Sequence, residues 1–203
     1  MFREMSDHLQ SSQGVVISGA PGAGKTSAVL QLVQNSCFFQ DGKIQSESNN
    51  DLTSLSSKVI GYHFCQAENS ATCSVANWIH NLASQLSQVP SLNAYRDFLS
   101  SHKDMRNFLS LVNCVSDPSR AFSMGILQPL DELRKMGKIT SNECFLLIDA
   151  LCEDELHRPD NGDTITMFVK KHLDSFPDWL KIICTVRTEK TEIASNLPFK
   201  QIR

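Results

Sequence analysis

Eight consecutive residues, Gly19-Ala20-Pro21-Gly22-Ala23-Gly24-Lys25-Thr26, follow the pattern Gly-x-x-x-x-Gly-Lys-[Ser/Thr] in full. Each fixed position has a chemical reason. Glycines let the backbone curl until successive N–H groups point inward at an anion, and the positive end of a following helix adds to the field on it. Lys25 is the cation for the β and γ phosphates of a nucleoside triphosphate, and the Thr26 hydroxyl is a ligand for the magnesium ion that bridges them. Pro21, Ala23 and Ser27 complete the backbone that would surround the phosphates. A chain of this length shows the pattern by chance roughly once in a hundred cases. The plain alternative is a tight glycine turn that holds nothing.

A magnesium ion at such a loop needs a carboxylate at the end of a neighbouring strand, and Asp149 closes the apolar run Cys144-Phe145-Leu146-Leu147-Ile148. Asp149 is therefore expected to serve the metal, through water. Four residues later Glu153, followed by Asp154 and Glu155, is a candidate for holding the attacking water in line with the γ phosphate. A solvated acidic turn is the rival reading. Arg187 ends a second apolar run, Cys184-Thr185-Val186, where a fixed planar cation can report a terminal phosphate and stabilise its transition-state charge. A surface ion pair would explain the same residue. His63, Cys65, Cys73 and His80 raise the question of zinc, but their spacing fits none of the common finger or ribbon patterns.

These residues need a scaffold, and the hydrophobic pattern describes one. Val15, Val16 and Ile17 predict a short buried strand leading into the glycine loop, and Val29, Leu30 and Val33 predict an amphipathic helix from Lys25. Further strands are expected at Val59–Phe64, Cys144–Asp149 and Lys181–Arg187, with a fifth near Phe199. Residues 40–57, polar and rich in Ser and Asn, read as a long mobile loop. Val75, Trp78, Ile79, Leu82 and Leu86 mark a helix. Pro129 should break or kink the one that carries Phe122, Ile126, Leu130 and Leu133, and Asp163 should cap the one that follows it. Strands alternating with helices predict an α/β fold with a five-stranded parallel sheet covered on both faces, in the order 5-1-4-3-2.

The bulk numbers suit one globular domain: 203 residues, 41% apolar and 20% charged. A net charge of -3 with no run of one sign argues against an electrostatic grip on nucleic acid. Seven cysteines without regular spacing read as reduced thiols of an intracellular protein. No stretch approaches the roughly 18 apolar residues of a membrane span, and no apolar block opens the chain as a signal peptide would, so a cytoplasmic location is expected.

Among phosphate-loop proteins, the loop resembles that of adenylate-kinase-like enzymes, but their glycine-proline-arginine signature after the third strand is replaced here by Asp149-Ala150-Leu151-Cys152-Glu153. The Asn-Lys-x-Asp segment of guanine-specific switches does not occur, which favours adenine. Asp149 to Glu153 is more similar to the pattern of signal-transducing P-loop ATPases, the STAND class, and Thr185-Val186-Arg187 resembles that class's arginine-bearing strand. Phe2-Arg3-Glu4 resembles the class's opening Gly-Arg-Glu helix, and that resemblance implies an adenine contact for Arg3, although the motif's glycine is missing here. Tyr62-His63-Phe64-Cys65-Gln66-Ala67, Ala94-Tyr95-Arg96-Asp97 and Phe176-Pro177-Asp178-Trp179-Leu180-Lys181 resemble the ATPase domain of the TANC family. These are scaffold proteins with ankyrin and tetratricopeptide repeats, found at synapses and at sites of myoblast fusion. The resemblance implies an ATP- and magnesium-binding, slowly hydrolysing P-loop NTPase, with repeats beyond Arg203 that recruit protein partners. A small-molecule kinase and a non-hydrolysing interaction module with a relic loop are the alternatives.

Overall fold

The computed structural model describes residues 1–39, 50–160 and 162–203. Helix α1 spans Phe2–Ser11, strand β1 Gly14–Gly19, α2 Lys25–Gln34, α3 Asn50–Ser56 and β2 Val59–Phe64. A run of helices follows: α4 Val75–Leu86, α5 Asn93–Ser101, α6 Lys103–Phe108, α7 Leu111–Ser116, α8 Pro118–Phe122 and α9 Gln128–Lys135. Strand β3 at Cys144–Asp149, α10 at Ile165–His172, β4 at Leu180–Arg187, α11 at Thr191–Asn196 and β5 at Lys200–Ile202 complete the order. The contacts group into two compact units, where the length alone suggests one domain. The first holds Met1–Phe64, Glu143–Cys152 and Asp178–Arg203, and the second holds Cys65–Asn142 and Glu153–Pro177.

The first unit is an α/β layer. Its five strands run parallel in the order β2-β3-β4-β1-β5, which is the expected order read from the other edge. Alternate residues of the central strands explain why it is buried on both faces. Val15, Ile17, Phe145, Leu147 and Ile183 pack with Met5 and Leu9 of α1, Val29, Leu32 and Val33 of α2, and Leu55 of α3. Val16, Leu146, Ile148, Ile182, Cys184 and Val186 alternate with them and are equally buried. At the amino-terminal edge Glu143 joins Lys58 at 2.9 Å and Lys181 at 3.2 Å. Burial alone would push the Glu143 carboxyl up, but the hydrogen bonds and charges of the two lysines outweigh it and hold it below its ordinary range.

Part of the stretch expected as a mobile loop, residues 40–57, is ordered: Asn50–Ser56 forms α3, because Leu52 and Leu55 have a core to pack against. Residues 40–49 of that expectation lie outside the described residues.

The second unit is helical and is built around aromatic side chains. Trp78, Phe122, Phe168 and Phe176 meet with ring centroids 5.5 to 6.1 Å apart. Pro129 acts as expected, but the break falls before it. Ser123–Leu127 is a π turn, in which the Gln128 N–H reaches back to the Ser123 carbonyl, and α9 begins with Pro129 in its first turn, where a missing N–H costs least. An α-helix would have paired the N–H of residue 129 with the Gly125 carbonyl four residues back, and proline has none to offer. The fully buried Tyr95 hydroxyl donates to this carbonyl instead, at 2.7 Å. The cap of α10 is Thr164, whose side chain accepts from the Met167 N–H, and not Asp163, which pairs with Lys171 at 3.3 Å. Among the described residues no helix is long and apolar enough to cross a membrane.

Candidate functional site

Strand β1 ends at Gly19 and α2 begins at Lys25, so the motif bridges strand and helix. Two of its glycines are required by the backbone: Gly22 has φ +79° and Gly24 has φ +84°, a region where an L residue costs about 1–2 kcal/mol. A Cβ on either would meet nothing within 4 Å, so conformation and not crowding selects glycine there. Gly24 is also the N-cap of α2. It has no side chain to accept from the helix's first amides, and the Ala28 N–H is the one that closes on the Gly24 carbonyl, at 2.9 Å. The N–H groups of Lys25, Thr26 and Ser27 thus begin the helix without a cap, at its positive end. The Lys25 ammonium donates to the carbonyls of Gly19 at 2.7 Å and Ala20 at 2.9 Å, which ties the cation to the loop's own backbone.

The order of the sheet brings the other groups to this loop. Strand β4 lies between β1 and β3, and its last residue, Arg187, is in register with Gly19. On the far side of β4 is β3, which ends at Asp149, a carboxylate only 3% exposed. Asp149 Oδ2 accepts from the Thr26 hydroxyl at 2.8 Å, so strand end and helix start are joined by one hydrogen bond. Asp149 Oδ1 accepts from the Thr185 hydroxyl at 2.6 Å, and Thr185 Oγ1 in turn accepts from the Ala150 N–H at 2.8 Å. Ala150 has φ +57°, a left-handed conformation outside glycine and a local cost of about 1–2 kcal/mol. Thr185 is a residue that the pattern of types did not single out. Its signals were a polar side chain within an apolar strand, two residues before Arg187, and its place in the triplet Thr185-Val186-Arg187, in which only the arginine was given a role.

The first unit therefore gathers Gly19 to Ser27, Asp149, Thr185 and Arg187. Glu153 belongs to the second unit, in the turn Leu151–His157, and is buried. Asp154 beside it is fully buried and holds the start of α10, because its Oδ2 accepts from the backbone N–H of Thr166 at 2.9 Å and from its hydroxyl at 3.1 Å. Burial, aided by the nearby charge of Glu155, pushes its carboxyl up to about 6. Arg3 lies exposed in the first turn of α1.

The remaining candidates are quiet. Six of the seven free cysteines are buried, with Cys37 exposed, and burial pushes Cys114 up to about 11 and raises Cys184 further, away from thiolate chemistry. Among the described residues no three His, Cys, Asp or Glu side chains gather as a metal site. Two cavities of about 390 and 420 Å³ are lined by second-unit residues alone.

No solved structure matches the chain. One family does, described as Nephrocystin 3, N-terminal, and the match runs over residues 1–187, from the start of α1 through the glycine loop and Asp149 to Arg187. Every residue of the cradle lies inside that span, and the chain belongs to the nephrocystin 3, N-terminal family, which is associated with STAND-type NTPases.

Proposed function

We propose that the first unit binds ATP with magnesium and serves as a slowly hydrolysing switch. The observation that carries this reading is the uncapped start of α2, delivered by a left-handed glycine loop and joined to a buried strand-end carboxylate through Thr26. The amides of residues 22 to 27 would hold the phosphates, Lys25 would pair with the β and γ groups, and Thr26 with Asp149 would hold the ion. Bound there, magnesium would neutralise phosphate charge as a Lewis acid. Because the Thr26 hydrogen points to Asp149, its oxygen lone pairs face away from the carboxylate and are free for a cation. Arg187, beside Gly19 in the sheet, supplies a rigid charge for the terminal phosphate and can distinguish ATP from ADP.

The resemblance to the TANC family extends the reading to a cytoplasmic scaffold, whose ankyrin and tetratricopeptide repeats are displayed according to the bound nucleotide. Titration of the purified chain with ATP, ADP and GTP, with and without magnesium, tests binding, and phosphate release tests turnover. Magnesium-dependent ATP binding is expected. Failure of all three nucleotides to bind would leave a relic loop in an interaction module, whereas binding without phosphate release would leave a holding switch.

A further inference from the structure

We infer that Thr185 is the positioning residue of this site: it fixes the orientation of Asp149 and, through it, that of the Thr26 hydroxyl. The inference rests on the nucleotide-binding reading and adds to it a chain of hydrogen bonds whose directions are all determined. Thr185 Oγ1 accepts from the Ala150 backbone N–H at 2.8 Å. A backbone N–H can only donate, so the single hydroxyl proton of Thr185 is left for the other partner, Asp149 Oδ1, at 2.6 Å. That bond occupies one carboxylate oxygen and sets the plane of the group. The second oxygen, Oδ2, then accepts from Thr26 at 2.8 Å. The order of donation runs from Ala150 to Thr185 to Asp149, with Thr26 donating to the carboxylate's other end.

The same hydroxyl holds the backbone that follows. Ala150, at φ +57°, turns the chain sharply just after Asp149, and its N–H is retained by Thr185 from the neighbouring strand. Thr185 is 1% exposed and lies on β4 two residues before Arg187, and side chains two apart share a face of the sheet. One side of β4 therefore presents both the group that orients Asp149 and the cation beside Gly19. Valine in place of Thr185 keeps the shape and the strand preference but cannot donate or accept. It would leave Asp149 Oδ1 and the Ala150 N–H without this partner, and the carboxylate free to rotate away from Thr26.

The test uses Thr185→Val and Thr185→Ser in the same chain, titrated with ATP in magnesium and in EDTA, together with hydrogen exchange at the Ala150 amide. Losing a group that orients a metal-holding carboxylate weakens metal-dependent binding by about 10- to 100-fold. Thr185→Val should lose that much affinity in magnesium, lose little in EDTA, and exchange the Ala150 amide faster. Thr185→Ser should restore both. Equal losses in magnesium and EDTA, or an unchanged Ala150 amide, would overturn the positioning role. Wild-type magnesium dependence in Thr185→Val would overturn it too, while leaving the nucleotide reading intact. No ATP binding by the wild type would instead remove the reading on which it rests.

Discussion

Replacing Lys25 by alanine separates a phosphate site from a glycine turn. In the structure the ammonium makes two hydrogen bonds, to the carbonyls of Gly19 and Ala20, at a half-buried position. Gly19 is half-buried and Ala20 exposed, so water can replace the ammonium at these carbonyls and the fold should lose no more than about 1 kcal/mol. The effect on ligand is larger. Hydrogen bonds to charged groups contribute about 1.5–3 kcal/mol each, and two such bonds to phosphate oxygens replace two weaker ones to neutral carbonyls. The net loss on truncation is then about 2–4 kcal/mol, or roughly 30- to 700-fold in Kd. Calorimetric titration with ATP measures it, and circular dichroism with thermal melting checks the fold. Lys25→Met, which keeps the length and apolar stem but not the charge, should fall as far as Lys25→Ala. A shift under threefold in both variants, with normal melting, would refute the assignment of the loop as the phosphate site.

Other expectations follow from the same geometry. Tyr95→Phe removes the donor to the buried Gly125 carbonyl and should cost about 1–3 kcal/mol, or roughly 2–4 °C of melting temperature per kcal/mol. Adding Pro129→Ala, which restores an N–H four residues on, should recover part of the loss, and a full additive loss would contradict the account. The raised Asp154 pKa, about 6 against an ordinary 3.8, means that the folded state holds a proton the unfolded chain has released. Wild-type stability should therefore rise as pH falls from 7 through about 6 toward 4, and Asp154→Asn should lack that rise in urea titrations at each pH. If Glu153 orients the attacking water, Glu153→Gln should keep ATP and lose roughly 10² in turnover. Asp149→Asn should weaken magnesium-dependent binding itself, because its amide would donate toward Thr26 or Thr185 where the carboxylate accepts from both. Wild-type turnover in Glu153→Gln would move that role elsewhere.

What the residues revealed and what they hid divide along one physical line. Local rules were legible: a glycine is demanded at φ +79° and +84° whatever lies around it, and Val15 to Ile17 can only be a buried strand beside such a loop. The strand order too could be expected, from the resemblance to P-loop folds that insert a strand between the glycine-loop strand and the one ending in Asp, and β4 does lie between β1 and β3. Helix α3 was hidden within a polar stretch because two leucines at a spacing of three are a weak signal until a core exists to receive them. Thr164 and Asp163 are both good caps, and only the path of the chain decides which oxygen meets the Met167 N–H. Thr185 is the sharpest case. As a β-branched residue among Ile182, Ile183, Cys184 and Val186 it reads as an ordinary strand former. Its role depends on the register of β3 against β4, strands separated by a long connection, with Ile148 opposite Cys184 and hence Asp149 next to Thr185. A shift of one residue would turn the threonine to the other face of the sheet and leave the carboxylate without its donor. Register between strands so far apart in sequence is set by the packing of both faces. The group that orients the site therefore becomes visible only once the core is assembled.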